Sequence, residues 1–187
     1  MAMQFKIGVI ALVGAIVLTV ALVVRGTNEP ADDSRFDAAK LKDGSSWTQV
    51  NAEPYHMAPA VSAACAANLS LDSKKTINPH DGTSITVYVN KIGRAAMFAK
   101  DVRSFPEGSV IVKEKFMSQD PDHKPVLYTL MKKRERGYNP EVGNWEFSVV
   151  GPDGKQVQET GRLENCESCH KGQSDSDFVY RPYVKFQ

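Results

Sequence analysis

The chain has 187 residues, of which 42% are hydrophobic and 24% charged, enough for one ordinary domain with a sizeable core and cramped for two. Its formal net charge is +1, so no global field points to nucleic acid, and none is expected as a partner. An unbroken apolar run extends from Ile7 to Val24, flanked by Lys6 and Arg25. It is close to the ~20 apolar residues a helix needs to cross a bilayer, and no small-x-small cleavage site follows it. The pattern predicts an uncleaved transmembrane signal-anchor over residues 1–25. Residues 26–46 are polar, rich in Gly, Pro and Asp and poor in large apolar side chains, and read as a tether. The folded unit is expected over residues 47–187.

Within that unit the Ala-rich stretch 58–68 predicts a short helix, with Cys65 as a small core residue. A Pro/Asp/Gly turn then leads into Ile85–Val89, a β-branched and aromatic run that reads as a strand. Residues 91–100 suit a short helix. After a turn at 105–108, residues 109–116 alternate: Val110, Val112 and Phe116 share one face, and Ile111, Lys113 and Lys115 share the other. Residues 126–133 and 144–150 read as two further strands, the second closed by a GPDG turn. Strands in succession with few helices between them predict an α+β fold, an antiparallel sheet with flanking short helices, preceded by the N-terminal transmembrane helix.

Near the C-terminus stands Cys166-Glu-Ser-Cys169-His170. Cys-x-x-Cys-His is the attachment signal for c-type haem: two thiols form thioethers to the porphyrin and the adjacent imidazole ligates the iron. A structural zinc site would need a second Cys or His pair at short spacing, whereas His56, His80 and His123 are scattered singly and Cys65 stands alone. A thioredoxin-like redox pair would be expected early in a βαβ unit, not after an antiparallel stretch. The anchor implies export, to the compartment where c-type haem is attached. One covalently bound haem c, with His170 as its metal ligand, is therefore expected. The sixth iron position stays open to His56, His80, His123, Met57 or Met117 on residue type alone.

The order of features resembles the cytochrome P460 family. The resemblance rests on TVYV (86–89), FPEGSVIVKE (105–114), GNWEF (143–147) and CESCHK (166–171) followed by DFVY (177–180). It implies a mostly antiparallel β domain, often dimeric, with one c-type haem on Cys166, Cys169 and His170 and an open distal side. In enzymatic members, which oxidise hydroxylamine, a lysine is bonded to the macrocycle, and Lys113 sits where that lysine is found. Related β-type cytochromes c-prime lack the link and bind nitric oxide. On the strand alone, Lys113 shares a face with Lys115 that would ordinarily be solvated.

Two positions depart from the enzymatic pattern. Ile85 stands where an arginine is expected, and Tyr128 where a carboxylate is expected on the strand 126–133. Hydroxylamine oxidation releases protons, and neither residue accepts one at neutral pH. Tyr128 can still donate a hydrogen bond to a bound ligand; alternatively Glu114 or Glu146 substitutes. Lys132–Arg136, KKRER, either docks a redox partner protein or is a solvated hairpin end. Asp177 either orients the proximal histidine or begins the last extended segment. The chain is thus expected to be a periplasm-facing haem protein on a bacterial inner membrane, acting on small nitrogen compounds or else binding nitric oxide and transferring electrons.

Overall fold

The structure, a computed structural model, describes residues 36–57 and 82–186, all within one compact unit spanning Ser34–Gln187. The predicted helix 58–68, Cys65 and His80 lie outside the described residues. So does the apolar run Ile7–Val24; among the described residues no helix is long and apolar enough to cross a membrane.

The unit is built on one antiparallel sheet, as the succession of strand signals predicts. Five strands run as a meander: β3 (Thr83–Asn90), β4 (Val110–Met117), β5 (Pro125–Lys133), β6 (Trp145–Val150) and β7 (Val157–Gly161). Two short strands, β1 (Trp47–Gln49) and β2 (Tyr55–His56), both pair with the free edge of β3. Between them Asn51 takes the place of ladder residues. Its buried side chain donates to Ile85 O (2.9 Å) and accepts from Val87 N (2.7 Å), so the interruption leaves no orphaned backbone groups on β3 there.

Each face of the sheet carries its own apolar cluster. One gathers Ile85, Val87, Val89, Ile111, Met131, Trp145 and Phe147, covered by helix α1 (Arg94–Phe98), helix α2 (Glu164–His170) and the C-terminal segment. The other gathers Tyr88, Val110, Val112, Tyr128 and Val150 under Leu41, with Phe36, Ala38 and Trp47 beside them. Burial on both sides explains why β3 reads as a continuous β-branched run: its first seven residues are all buried.

The α+β architecture holds, and the four sequence-predicted strands and the short helix fall within one to three residues of their expected limits. Three features differ. The tether expected up to residue 46 ends earlier, because Phe36 and Leu41 pack on the sheet and a 3-10 turn forms over Ala38–Lys42. Strand β7 has an exposed, polar sequence with no alternation to read, and forms because β6 offers it an edge. Finally, the face of β4 bearing Ile111, Lys113 and Lys115 faces protein: Lys115 is 4% exposed.

Asn51→Ala removes the groups that satisfy Val87 N and Ile85 O. At about 1–3 kcal/mol per buried group left unpaired, it is expected to lower stability by at least about 2 kcal/mol in a urea titration, and Asn51→Asp does not rescue it, because a carboxylate oxygen would then face the Ile85 and Glu53 carbonyls.

Candidate functional site: a histidine-centred cavity

Helix α2, ENCESCH, begins at Leu163, whose carbonyl accepts from Cys166 N and Glu167 N, both at 2.9 Å. In a helix, residues three and four apart share a face, so the Cys-x-x-Cys-His spacing sets Cys166, Cys169 and His170 together. Both cysteines are unbridged and half-buried. Three bonds hold the helix in place. Asn139 Nδ2 donates to Glu167 Oε1 (2.7 Å), Tyr180 OH donates to Cys169 O (3.0 Å), and His170 Nδ1 lies 2.6 Å from Phe178 O.

The last bond fixes the chemistry of His170. A carbonyl can only accept, so Nδ1 carries the proton and Nε2 keeps its lone pair for a metal. His170 is buried between the rings of Phe147 (5.2 Å) and Tyr180 (5.3 Å). Burial, together with the ammonium groups of Lys113 and Lys115, pushes its pKa down to about 3. The imidazole is neutral at physiological pH, the form that ligates iron.

The carbonyl of Phe178 is aimed by an unusual turn. Asp177 and Phe178 both have left-handed backbone, φ 53° and 64°, uncommon for Asp and strained for a bulky residue. Asp177 pins the turn. Its carboxylate accepts from buried Lys133 Nζ (2.6 and 2.8 Å) and from Phe105 N (2.6 Å), and its carbonyl accepts from Trp145 Nε1 (2.8 Å). Gly143 makes room: a Cβ there would stand 2.7 Å from Asp177 Oδ1 and Phe178 Cδ2. Asp177 does not touch His170, and it positions the carbonyl that does. Lys133, within the KKRER run, is accordingly a buried structural group, and Arg134 pairs with Glu146 and Glu135.

In front of His170 opens a cavity of about 680 Å3, including its mouth. Lys113, Lys115, Met57, Asn165 and Cys166 line it with His170. Lys113 Nζ lies 5.7 Å from the centre of the Tyr180 ring. The structure thus brings Cys166, His170 and Lys113 to one cavity, with Cys169 beside His170 on the same helix, and it adds Lys115 and Asn165. The alternation of β4 marked Lys115 as sharing the face of Lys113; nothing local marked Asn165 beyond its adjacency to Cys166.

Tyr128 is not brought to this place. On β4 and β5 Lys113 pairs with Thr129, and Glu114 pairs with Tyr128; with a side-chain period of two, the second pair faces the opposite side. Tyr128 OH instead donates to Glu114 Oε1, as Tyr88 OH does to Oε2, both at 3.3 Å, under the ion pair of Lys42 with Glu114. Burial and the Glu114 charge push both phenols far above the usual tyrosine range. A role for Tyr128 at the cavity is therefore corrected: the residue of this strand on the cavity side is Thr129. Glu114 does not substitute, and Glu146, paired with Lys132, faces away too. Ile85 is on the cavity side but packed in the core.

Of the candidate sixth ligands, His56 is exposed and bonded to Ser118 (2.9 Å), and His123 is stacked on Phe116; Met57 alone among those described lines the cavity. Among the described residues no three His, Cys, Asp or Glu side chains are grouped to hold a metal ion by themselves. The group fits a haem: two thiols on the histidine's own helix, a neutral imidazole with Nε2 available, and an adjoining cavity. A family model, Cytochrome P460, matches residues 67–181, more than half of the chain. No curated protein matches it.

Two outcomes follow. Lys133→Met strands the buried Asp177 charge and is expected to cost about 3–5 kcal/mol in denaturant unfolding, whereas Lys133→Met with Asp177→Asn costs less than the single change. In the haem-free chain, His170 is depressed from 6.5 to about 3, so the unfolded state binds the extra proton between those values. Its contribution is full above about pH 6.5 and is lost as pH falls towards 3, by roughly 1 kcal/mol per pH unit. Comparing acid unfolding with that of His170→Gln isolates it; equal pH slopes would contradict a neutral buried His170.

Proposed function

Since the chain belongs to the cytochrome P460 family, a family of haem proteins, we propose that it carries one covalent haem c and acts on small nitrogen compounds. Cys166 and Cys169 would form the thioethers and His170 Nε2 would hold the iron. The observation that carries this reading is the His170 arrangement: helix spacing groups it with both thiols, and Phe178 O leaves Nε2 as its metal-binding nitrogen. The haem, when bound, supplies a redox-active iron. The chain supplies the rest. Asp177 and Lys133 hold the Phe178 turn, the Phe147 and Tyr180 rings confine the imidazole, and Lys113 sits beside it as the residue able to modify the ring.

Two reactions compete, and the wall of the cavity weighs between them. Dehydrogenating hydroxylamine requires somewhere for protons to go. Among its described lining residues are two lysines, a threonine and two methionines, and no carboxylate. This composition favours uptake of a small nitrogen ligand, such as nitric oxide, and one-electron exchange with a redox partner protein. Lys113 beside His170 favours the second reading, a cross-linked hydroxylamine oxidase. The N-terminal run Ile7–Val24 supports tethering to a bacterial inner membrane with the domain in the periplasm, and the family resemblance supports a homodimer.

The absorption spectrum of the protein expressed with c-type maturation machinery separates these. An ordinary c-type ferrous spectrum, unchanged by Lys113→Ala, is the expected result and supports ligand binding. A strongly red-shifted ferrous Soret band that Lys113→Ala abolishes supports the linked enzyme. A protein without haem overturns both.

A further inference from the structure

Two of the described residues lining the cavity carry a hydroxyl, Thr129 and Ser148. Ser148 Oγ is engaged, 2.8 Å from Thr160 Oγ1. Thr129 Oγ1 has no hydrogen-bond partner among the described residues. Its place is nonetheless well fixed. Thr129 stands on β5, a strand paired along both edges, directly opposite Lys113 of β4 and Val149 of β6, and the Cβ atoms of such cross-strand pairs lie about 5 Å apart. Both of those residues line the cavity, as does Met131, which takes the same face two residues on. A β-branched side chain has little freedom at χ1, so the hydroxyl is held where the strand puts it.

Nothing in the sheet calls for that hydroxyl. Val149 and Met131 beside it are apolar, and a valine would fill the same space and suit the strand at least as well. Thr129 is half-buried, and a hydroxyl drawn from water without a partner costs free energy. The cost is recovered when an occupant of the cavity brings an acceptor.

We infer that Thr129 is a ligand-positioning residue, whose hydroxyl donates a hydrogen bond to a small neutral nitrogen ligand of nitric oxide type held in this cavity. The inference rests on the haem reading above and adds to it the protein group that the ligand meets. A threonine hydroxyl donates to such a ligand and takes up no proton at neutral pH. A carboxylate at the haem edge is the other acceptor within the chemistry of a hydroxyl, and the two are told apart by the vibration of the ligand itself.

The test uses the full-length protein matured with haem, its loading read from the reduced, denatured spectrum, with carbon monoxide and nitric oxide as probes. Thr129→Val keeps the shape and removes the donor, Thr129→Ala is a second donor-free variant, and Thr129→Ser keeps the donor. In the two donor-free variants the C–O stretch of the ferrous carbon monoxide complex is expected to move to higher frequency, and nitric oxide to dissociate about two- to tenfold faster, the worth of one neutral hydrogen bond. In Thr129→Ser both stay close to their original values. An unchanged stretch in Thr129→Val and Thr129→Ala with haem loaded, as expected if Thr129 serves only the fold or the haem edge, overturns the inference and leaves the haem reading standing. A serine variant that behaves like the valine also overturns it. Absence of haem from the unsubstituted protein overturns the haem reading, and this inference with it.

Discussion

The arrangement at His170 depends on one buried ion pair, Lys133 with Asp177. Both side chains are under a tenth exposed, so each charge was removed from water at considerable cost. A pair of this kind adds little stability over an apolar substitute, and its value is geometric. Asp177 has four acceptor contacts across its carboxylate and carbonyl, from β5, β6 and the segment before β4. Those contacts hold two successive residues in left-handed backbone that the chain would otherwise leave. The reward is a carbonyl aimed at His170 Nδ1. From it follow the tautomer of the imidazole and the direction of Nε2, while the helix itself sets Cys169 beside His170 and Cys166 one turn back.

The sheet then separates two kinds of chemistry. On one side lie His170, the thiols and two lysines; on the other, one residue away along the same strands, a glutamate accepts from two phenols. Strand periodicity alone keeps them apart. Glu114 therefore lies behind the sheet, and among the described residues the lysines Lys113 and Lys115 line the cavity.

Much of this was legible in the sequence, and what was not has identifiable causes. Ile85–Val89 and residues 109–116 showed their strands because β-branched runs and alternation are local signals. Cys166, Cys169 and His170 were legible because one turn of helix brings them together without help from the rest of the chain. Lys113 needed the family resemblance, since a lysine on an alternating strand ordinarily points to water. Tyr128 was misplaced by a single residue: an aligned position does not reveal which face it occupies, and one step along a strand reverses the face. The function of Asp177 was hidden for a different reason. Its partners Phe105, Lys133 and Trp145 are distant in sequence, and Lys133 was concealed in a basic run that read as solvated. Strand β7, polar and exposed, carries no pattern of its own and exists because β6 has an edge to pair.

The most direct measurement is mass spectrometry of the tryptic peptide Leu163–Lys171 from protein matured with the c-type machinery. The peptide is expected to carry one haem bound through both Cys166 and Cys169, with its iron ligated by His170 in the intact protein. Recovery of the peptide with a Cys166–Cys169 disulfide, or with both thiols unmodified, would contradict the haem centre on which the functional reading stands.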